Sequence, residues 1–261
     1  MPAIDPRLDA VRVIAREAGA IAMAKWRGDF AQWDKSHDNP VSEVDLAVDA
    51  FLRDRLCALD REAGWLSEES ADSAERLMRP RVWVVDPIDG TRDFVRGRRG
   101  WAVSIALVEG GRPLIGVLDA PARGEHWWAV AGLGGFRNDQ RLVASQRATL
   151  AGARVPAEML SAVDHDLVCV ERPNSVALRI AMVGADEADL LATLHWGNEW
   201  DIAAAALIAQ EAGATVTDAR GQTLRYNSTK GEAFGVLATS PGIHRAAVER
   251  LADRAARAIV R

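Results

Sequence analysis

Trp83-Val84-Val85-Asp86-Pro87-Ile88-Asp89-Gly90-Thr91 is a β-rich hydrophobic run that breaks off in two carboxylates and a turn. Val84 and Val85 read as a buried strand, Pro87 as its end, and Gly90-Thr91 as the point where the backbone enters a helix. Charge is thereby gathered at a strand end. The rigid proline between Asp86 and Asp89 anchors both acids well enough to hold a hard divalent cation. The amides of Gly90 and Thr91, opening a helix, can receive an anion such as phosphate at the same place.

Working outward, Gly64-Trp65-Leu66 reads as a short strand emptying into Ser67-Glu68-Glu69-Ser70, a second strand end that carries acids. Two further strands are expected over 102–108 and 114–118, joined by the hairpin signal Glu109-Gly110-Gly111-Arg112. Upstream, Val11, Ile14, Ala15, Ala18, Ile21 and Ala22 recur at helical spacing and predict a helix over 6–26. The polar stretch 34–40 reads as a loop and candidate lid. A helix follows it with Ser42 as N-cap and Asp45 in its first turn. Gly132-Leu133-Gly134-Gly135 lacks the full Gly-x-Gly-x-x-Gly spacing and reads as a turn.

Beyond about residue 145 short strands alternate with helices, predicted at 175–183, at 199–212 and from 244 onward. Trp200-Asp201-Ile202 opens the second of these and Gly213 stops it. The expected division is therefore an N-terminal α+β half over 1–145, carrying most of the candidate metal ligands, and a C-terminal α/β half over 146–261, carrying Asp201 and substrate-side residues.

At 261 residues, 49% hydrophobic and 26% charged, the chain can bury a substantial core. Its net charge of −5 argues against a binder of nucleic-acid polymers, which needs a basic surface. Two cysteines, Cys57 and Cys169, make neither a disulfide framework nor a metal-ligand spacing, which points to a reducing cytoplasm. Neither a signal-type leader nor a run of membrane-spanning length is read from the sequence. The nine tryptophans are scattered and read as core or interface bulk.

Taken singly, each acid has an ordinary explanation: Asp45 and Asp201 as favourable charges in first helical turns, Glu68-Glu69 as a solvated loop. The Asp86-Pro87-Ile88-Asp89-Gly90-Thr91 segment is more specific. Phosphatases of the haloacid-dehalogenase type space their acids by one residue, Asp-x-Asp-Gly-Thr, whereas here the spacing is two.

Three motifs in order, Leu66-Ser67-Glu68-Glu69-Ser70, the Trp83–Thr91 segment, and Trp200-Asp201-Ile202-Ala203-Ala204 running to Glu211-Ala212-Gly213, resemble the inositol monophosphatase superfamily of magnesium-dependent, lithium-sensitive phosphatases. The resemblance implies a layered αβαβα sandwich and a homodimer. It implies that Glu68, Asp86 and the Ile88 carbonyl hold one Mg²⁺, and that Asp86, Asp89 and Asp201 hold a second. Glu68 would also face a third ion carrying the water, which Thr91 and Asp45 orient or deprotonate, while Gly90 and Thr91 amides grip the phosphate.

The physics of the residues agrees. Four converging acids raise one another's pKa until cations arrive. Bound cations then let an acidic protein attract an anionic ester, and an oxygen-only donor set suits Mg²⁺ better than zinc. Phosphate monoesters hydrolyse so slowly that catalysis by clustered metals and direct water attack is expected, without a phosphoenzyme.

For the substrate, Arg92-Asp93-Phe94, the serine before Glu68, and Asn198 three residues before Asp201 resemble the bacterial 3'(2'),5'-bisphosphate nucleotidases. The segment Ser175-Val176-Ala177-Leu178-Arg179 matches a nucleotide-side segment loosely, and Arg92, Arg96, Arg98 and Arg99 could bind a second phosphate. The expected substrate is 3'-phosphoadenosine 5'-phosphate, ahead of inositol 1-phosphate and then histidinol phosphate. A non-catalytic metal-binding regulator is the reading from another class, and an intact Thr91 and Asp45 speak against it.

Overall fold

Residues 5–36 and 39–259 are described by the computed structural model. Helix α1 (Leu8–Lys25) leads to the hairpin β1 (Gln32–Ser36) and β2 (Asn39–Ser42), then to α2 (Glu43–Leu59). A seven-stranded sheet follows in the order β3 (Gly64–Ser67), β4 (Arg81–Asp89), β5 (Ala102–Glu109), β6 (Arg112–Ala120), β7 (Glu125–Val130), β8 (Gly134–Arg137) and β9 (Gln140–Arg141). A five-residue helix, α3 (Thr91–Val95), links β4 to β5.

The rest of the chain makes a parallel pair, β10 (Arg154–Pro156) with β11 (Val168–Val170), and helix α4 (Val176–Gly184). After β12 (Leu190–Ala192) and β13 (Trp196–Asn198) come α5 (Ala203–Glu211), β14 (Thr215–Thr217), β15 (Glu232–Phe234), β16 (Leu237–Thr239) and α6 (His244–Ile259). Strands β12, β16 and β14 form a second, small sheet.

Alternation along the large sheet explains the layers. Trp83, Val85, Val103, Ile105, Leu107, Ile115 and Val117 pack against α1 and α2 on one face. Val82, Val84, Ala102, Ala106, Val108, Leu118 and Ala120 pack against α4 and α5 on the other. With both faces covered, successive residues are mostly apolar, so the strands read as nearly continuous hydrophobic runs. The small sheet covers α4 and α5 from the far side and α6 packs on β16, completing an αβαβα sandwich. Helix α5 is buried from Ala203 to Ala209. It lies so close to β6 that a Cβ on Gly116 would come within 2.6 Å of the Ala204 carbonyl oxygen.

Several sequence expectations are corrected. The stretch 34–40 is not a loop: β1 and β2 pair across it, and residues 37 and 38 of the proposed lid lie outside the described residues. Only 131–133 turn at the glycine-rich segment, because Gly134 and Gly135 already belong to β8, where the missing side chain of Gly135 admits the Ile208 carbonyl. The helix expected from 199 begins as a 3-10 turn, Glu199–Asp201, and becomes α-helical at Ala203.

Strand β4 also runs past Pro87 to Asp89. Between the pairs Asp86–Ser104 and Asp89–Ala102, β4 advances three residues while β5 advances two. The extra residue is a β-bulge, the one place in a paired strand where a proline without an N–H is readily tolerated.

Candidate active site

The bulge decides the geometry. Side chains alternate along a strand, so residues three apart fall on opposite faces, and one inserted residue returns them to the same side. Asp86 and Asp89, 2% and 6% exposed, accordingly both line a single cleft of about 380 Å³. The backbone N–H of Ile88 donates to Asp86 Oδ1 at 3.0 Å, tying the bulge to the acid it displays.

Glu68 arrives through strand direction. Because β3 and β4 are parallel with Ser67 beside Val85, the first residue beyond β3, Glu68, comes next to Asp86 while β4 runs on. Asp49 of α2 holds that turn from below by accepting hydrogen bonds from the hydroxyls of Ser67 and Ser70, both at 2.5 Å. The sequence reading missed Asp49. Its spacing of four from Asp45, which puts the two acids on one helix face, was the available signal.

At the start of α2 the Ser42 N–H and hydroxyl both donate to Asp45 Oδ2, at 2.9 and 2.5 Å, closing a capping box. Such a cap stabilises a helix by about 1 kcal/mol, and here it also fixes the carboxylate. Asp45 Oδ1 is left to face the Thr91 hydroxyl at 3.3 Å, and that hydroxyl also reaches the Ile88 carbonyl at 3.0 Å. Gly90 makes the turn in between with φ of 94°; a Cβ there would meet the Gly100 carbonyl oxygen at 2.6 Å.

Asp89 is held from the opposite side. Both its oxygens accept hydrogen bonds from the start of α4: the Ser175 hydroxyl and Ala177 N–H on Oδ2, at 2.5 and 2.7 Å, and the Val176 N–H on Oδ1 at 3.2 Å. Asp201 enters from the turn before α5, which is tied to the large sheet by Ser104 donating to the Trp200 carbonyl at 3.2 Å. Glu199, fully buried, supports the same turn by accepting from the N–H groups of Asn227 and Ser228. Asn198 lines the cleft beside Asp201. The cleft thus brings together Glu68, Asp86, Ile88, Asp89, Gly90, Thr91, Asn198 and Asp201, with Asp45 reaching it through Thr91. Arg172, Asn174, Thr193 and His195, to which the sequence reading gave no site role, join them on the walls, as does Arg179 from the segment matched loosely to the nucleotide side.

The electrostatics are strained in one direction. Burial, then Glu68, Asp89 and Asp201, push the Asp86 carboxyl well above its ordinary value. Burial, Asp89 and Glu68 do the same to Asp201. Asp89 is raised by burial and partly restored by Ser175, Ala177 and Arg179. Burial lowers the Arg179 guanidinium, against the pull of Asp89 and Asp201. Among the described residues no three His, Cys, Asp or Glu side chains already form an ion cage. The acids ring the cleft and repel one another, an all-oxygen donor set that fits a hard cation once one is supplied.

An αβαβα sandwich with acids on a bulged strand end, beside a capped Asp–Thr pair, is the arrangement expected of a phosphatase. A model of the inositol monophosphatase family matches residues 4–259, and the chain belongs to that family; it is a hydrolase of phosphoric monoesters. It is 33% identical over 228 residues to a fructose-1,6-bisphosphatase/inositol-1-monophosphatase of Thermotoga maritima, covering 83% of this chain and 86% of the relative. Over 243 residues it is 34% identical to a histidinol-phosphatase of Streptomyces coelicolor, covering 85% and 90%. Over 245 residues it is 28% identical to a 3'(2'),5'-bisphosphate nucleotidase of Aggregatibacter actinomycetemcomitans, covering 87% and 89%. The solved Thermotoga maritima IMPase superposes with a TM-score of 0.83 at 27% identity, covering 97% of this chain and 99% of that one. These relatives share a reaction and differ in the alcohol they release. No helix among the described residues is long and apolar enough to cross a membrane.

Proposed function

We propose that the chain is a Mg²⁺-dependent phosphomonoesterase acting by direct attack of water, with 3'-phosphoadenosine 5'-phosphate as its preferred substrate. The observation that carries the reaction is the meeting of Glu68, Asp86, Asp89 and Asp201 around one cleft beside the Thr91–Asp45 contact. In this reading Glu68, Asp86 and the Ile88 carbonyl hold one Mg²⁺, Asp86, Asp89 and Asp201 hold a second, and Glu68 also faces a third. Bound Mg²⁺ neutralises the phosphoryl oxygens and lowers the pKa of water.

The chain's own residues do the rest. Asp45, clamped through Oδ2 by Ser42, keeps Oδ1 aimed at Thr91. With its proton turned toward Asp45 or the Ile88 carbonyl, the Thr91 oxygen accepts from the attacking water and holds it in line. Gly90 and Thr91 amides bind the phosphate, and Asn198 and Asp201 face the leaving alcohol.

The substrate preference is supported by the resemblance to the bisphosphate nucleotidases and by a second cavity of about 320 Å³, lined in part by Arg92, Arg96, Arg98, Arg99 and Arg172. It shares Arg92, Arg172 and Asn174 with the cleft, so a second phosphate would meet guanidinium groups next to the reacting one. The same reading takes the enzyme to be cytoplasmic, homodimeric and inhibited by lithium. The test is phosphate release from 3'-phosphoadenosine 5'-phosphate, inositol 1-phosphate, histidinol phosphate and fructose 1,6-bisphosphate at fixed Mg²⁺, with and without lithium. A higher kcat/KM on any of the last three overturns the substrate order, and no release from any of them overturns the reaction.

A further inference from the structure

Trp196 departs from the tryptophans that fill the core: it is 50% exposed, on β13. Its ring packs against its cross-strand partner Phe234, with centroids 5.6 Å apart and planes at 62°, which holds the indole in place while half of the residue stays in solvent. The open side borders a hollow of about 480 Å³ lined by Leu194, His195, Trp196, Arg254, Arg257 and Ala258. Arg254 is engaged by Asp164 at 2.7 and 3.0 Å, while Arg257 brings further N–H donors to the rim.

The hollow meets the catalytic cleft. His195 lines both, and Trp196 stands two residues before Asn198, which lines the cleft. Residues two apart on a strand share a face and lie about 7 Å apart, so the indole continues the wall that Asn198 begins. An ester whose phosphate sits among the four acids would pass its alcohol over Asn198 and His195 toward this ring.

We propose that Trp196 is a specificity-determining residue: the alcohol half of the substrate carries a flat heteroaromatic ring that stacks on the exposed indole, with Arg257 donating to ring nitrogens. This rests on the phosphomonoesterase reading and narrows the leaving group to a planar, nitrogen-bearing ring, against an alicyclic polyol. Stacking on an aromatic side chain is typically worth about 1–3 kcal/mol by alanine substitution, which corresponds to a preference of about 5- to 150-fold, and a half-exposed ring falls toward the lower end.

The test measures kcat/KM of wild type, Trp196→Ala and Trp196→Phe on 3'-phosphoadenosine 5'-phosphate, histidinol phosphate and inositol 1-phosphate. The expected result is that Trp196→Ala lowers the ratio of ring-bearing to alicyclic ester about tenfold through KM, and that Trp196→Phe restores much of it. The two ring-bearing esters separate a nucleoside from an imidazole source. Binding is read independently from quenching of tryptophan fluorescence by adenosine 5'-phosphate, expected in wild type and diminished in Trp196→Phe. An unchanged ratio in Trp196→Ala, or equal quenching in both proteins, overturns the proposal while leaving the phosphatase intact. Hydrolysis of none of the three esters by wild type sinks the reading beneath it.

Discussion

Asp86 and Asp189 are both buried aspartates, and they stand in opposite surroundings. Asp189, fully buried before β12, accepts from Arg147 Nε at 3.1 Å, from Arg154 through its backbone N–H, Nε and Nη2 at 2.9 Å each, and from the Ser240 hydroxyl. Despite its burial, those partners hold its carboxyl below the ordinary range. Asp86 has the Ile88 N–H and a surround of further acids, and is driven upward. A buried charge that is fully paired ties the chain together. A buried charge left short of partners marks the place where something from outside is to be bound.

The sharpest way to break this contrast is Asp89→Asn, which should lower kcat by about 10³-fold or more, since several kcal/mol of charge stabilisation depend on the metal side. The fold should survive, because an asparagine oxygen can still accept from the start of α4; equal phosphate release by variant and wild type would reject the metal-side assignment. Next, Thr91→Ala should cost about 10²-fold in kcat, the scale of one positioned proton-handling group, with KM little changed in steady-state kinetics. In the paired region the effect moves from activity to stability. Asp189→Asn leaves Arg147 and Arg154 short of their acceptor and should cost about 2 kcal/mol in urea unfolding, reduced because both guanidiniums are a third exposed, while kcat stays near wild type.

The smallest effect separates the two regions by pH. For Asp86 and Asp201 the folded state holds protons that the unfolded chain has released, from the ordinary carboxylate range up to their raised values. Apo-protein stability therefore falls as pH rises through that window. For Asp189 the sign is opposite: its contribution is present above the ordinary range and is lost as pH falls below it. In EDTA the Tm should climb by roughly a few degrees as pH falls toward the ordinary carboxylate range and drop below it. Saturating Mg²⁺ should abolish the climb and leave the drop; a climb that persists in Mg²⁺ would show that the site acids are not where the ion binds.

Much of the acid side was legible because its signals are local. The strands before Glu68 and Asp86, the Ser42 cap and the helix after Asp201 each follow from a few neighbouring residues. The bulge was not, since Pro87 locally says stop and only pairing with β5 shows the strand resuming. The substrate side was legible least. Its walls come from α4 and from β13, a three-residue strand whose partner β15 lies some thirty residues on. Nothing near Trp196 in the sequence tells that its indole stays in solvent, and Asp49, Glu199 and Arg179 act through partners that only folding brings to them.

The bare backbone of Gly116 carries one more implication. It seats α5 directly on β6, and Gly135 does the same on β8, so the separation between the bulge and the turn bearing Asp201 is set by two absent methyl groups. No compensating trim is open, because what each glycine meets is a backbone carbonyl of the helix, that of Ala204 or of Ile208. Adaptation of this catalyst to new esters is therefore channelled to the rim, where His195, Trp196 and the arginines can be exchanged one at a time, while the spacing across its middle layer is closed to gradual change.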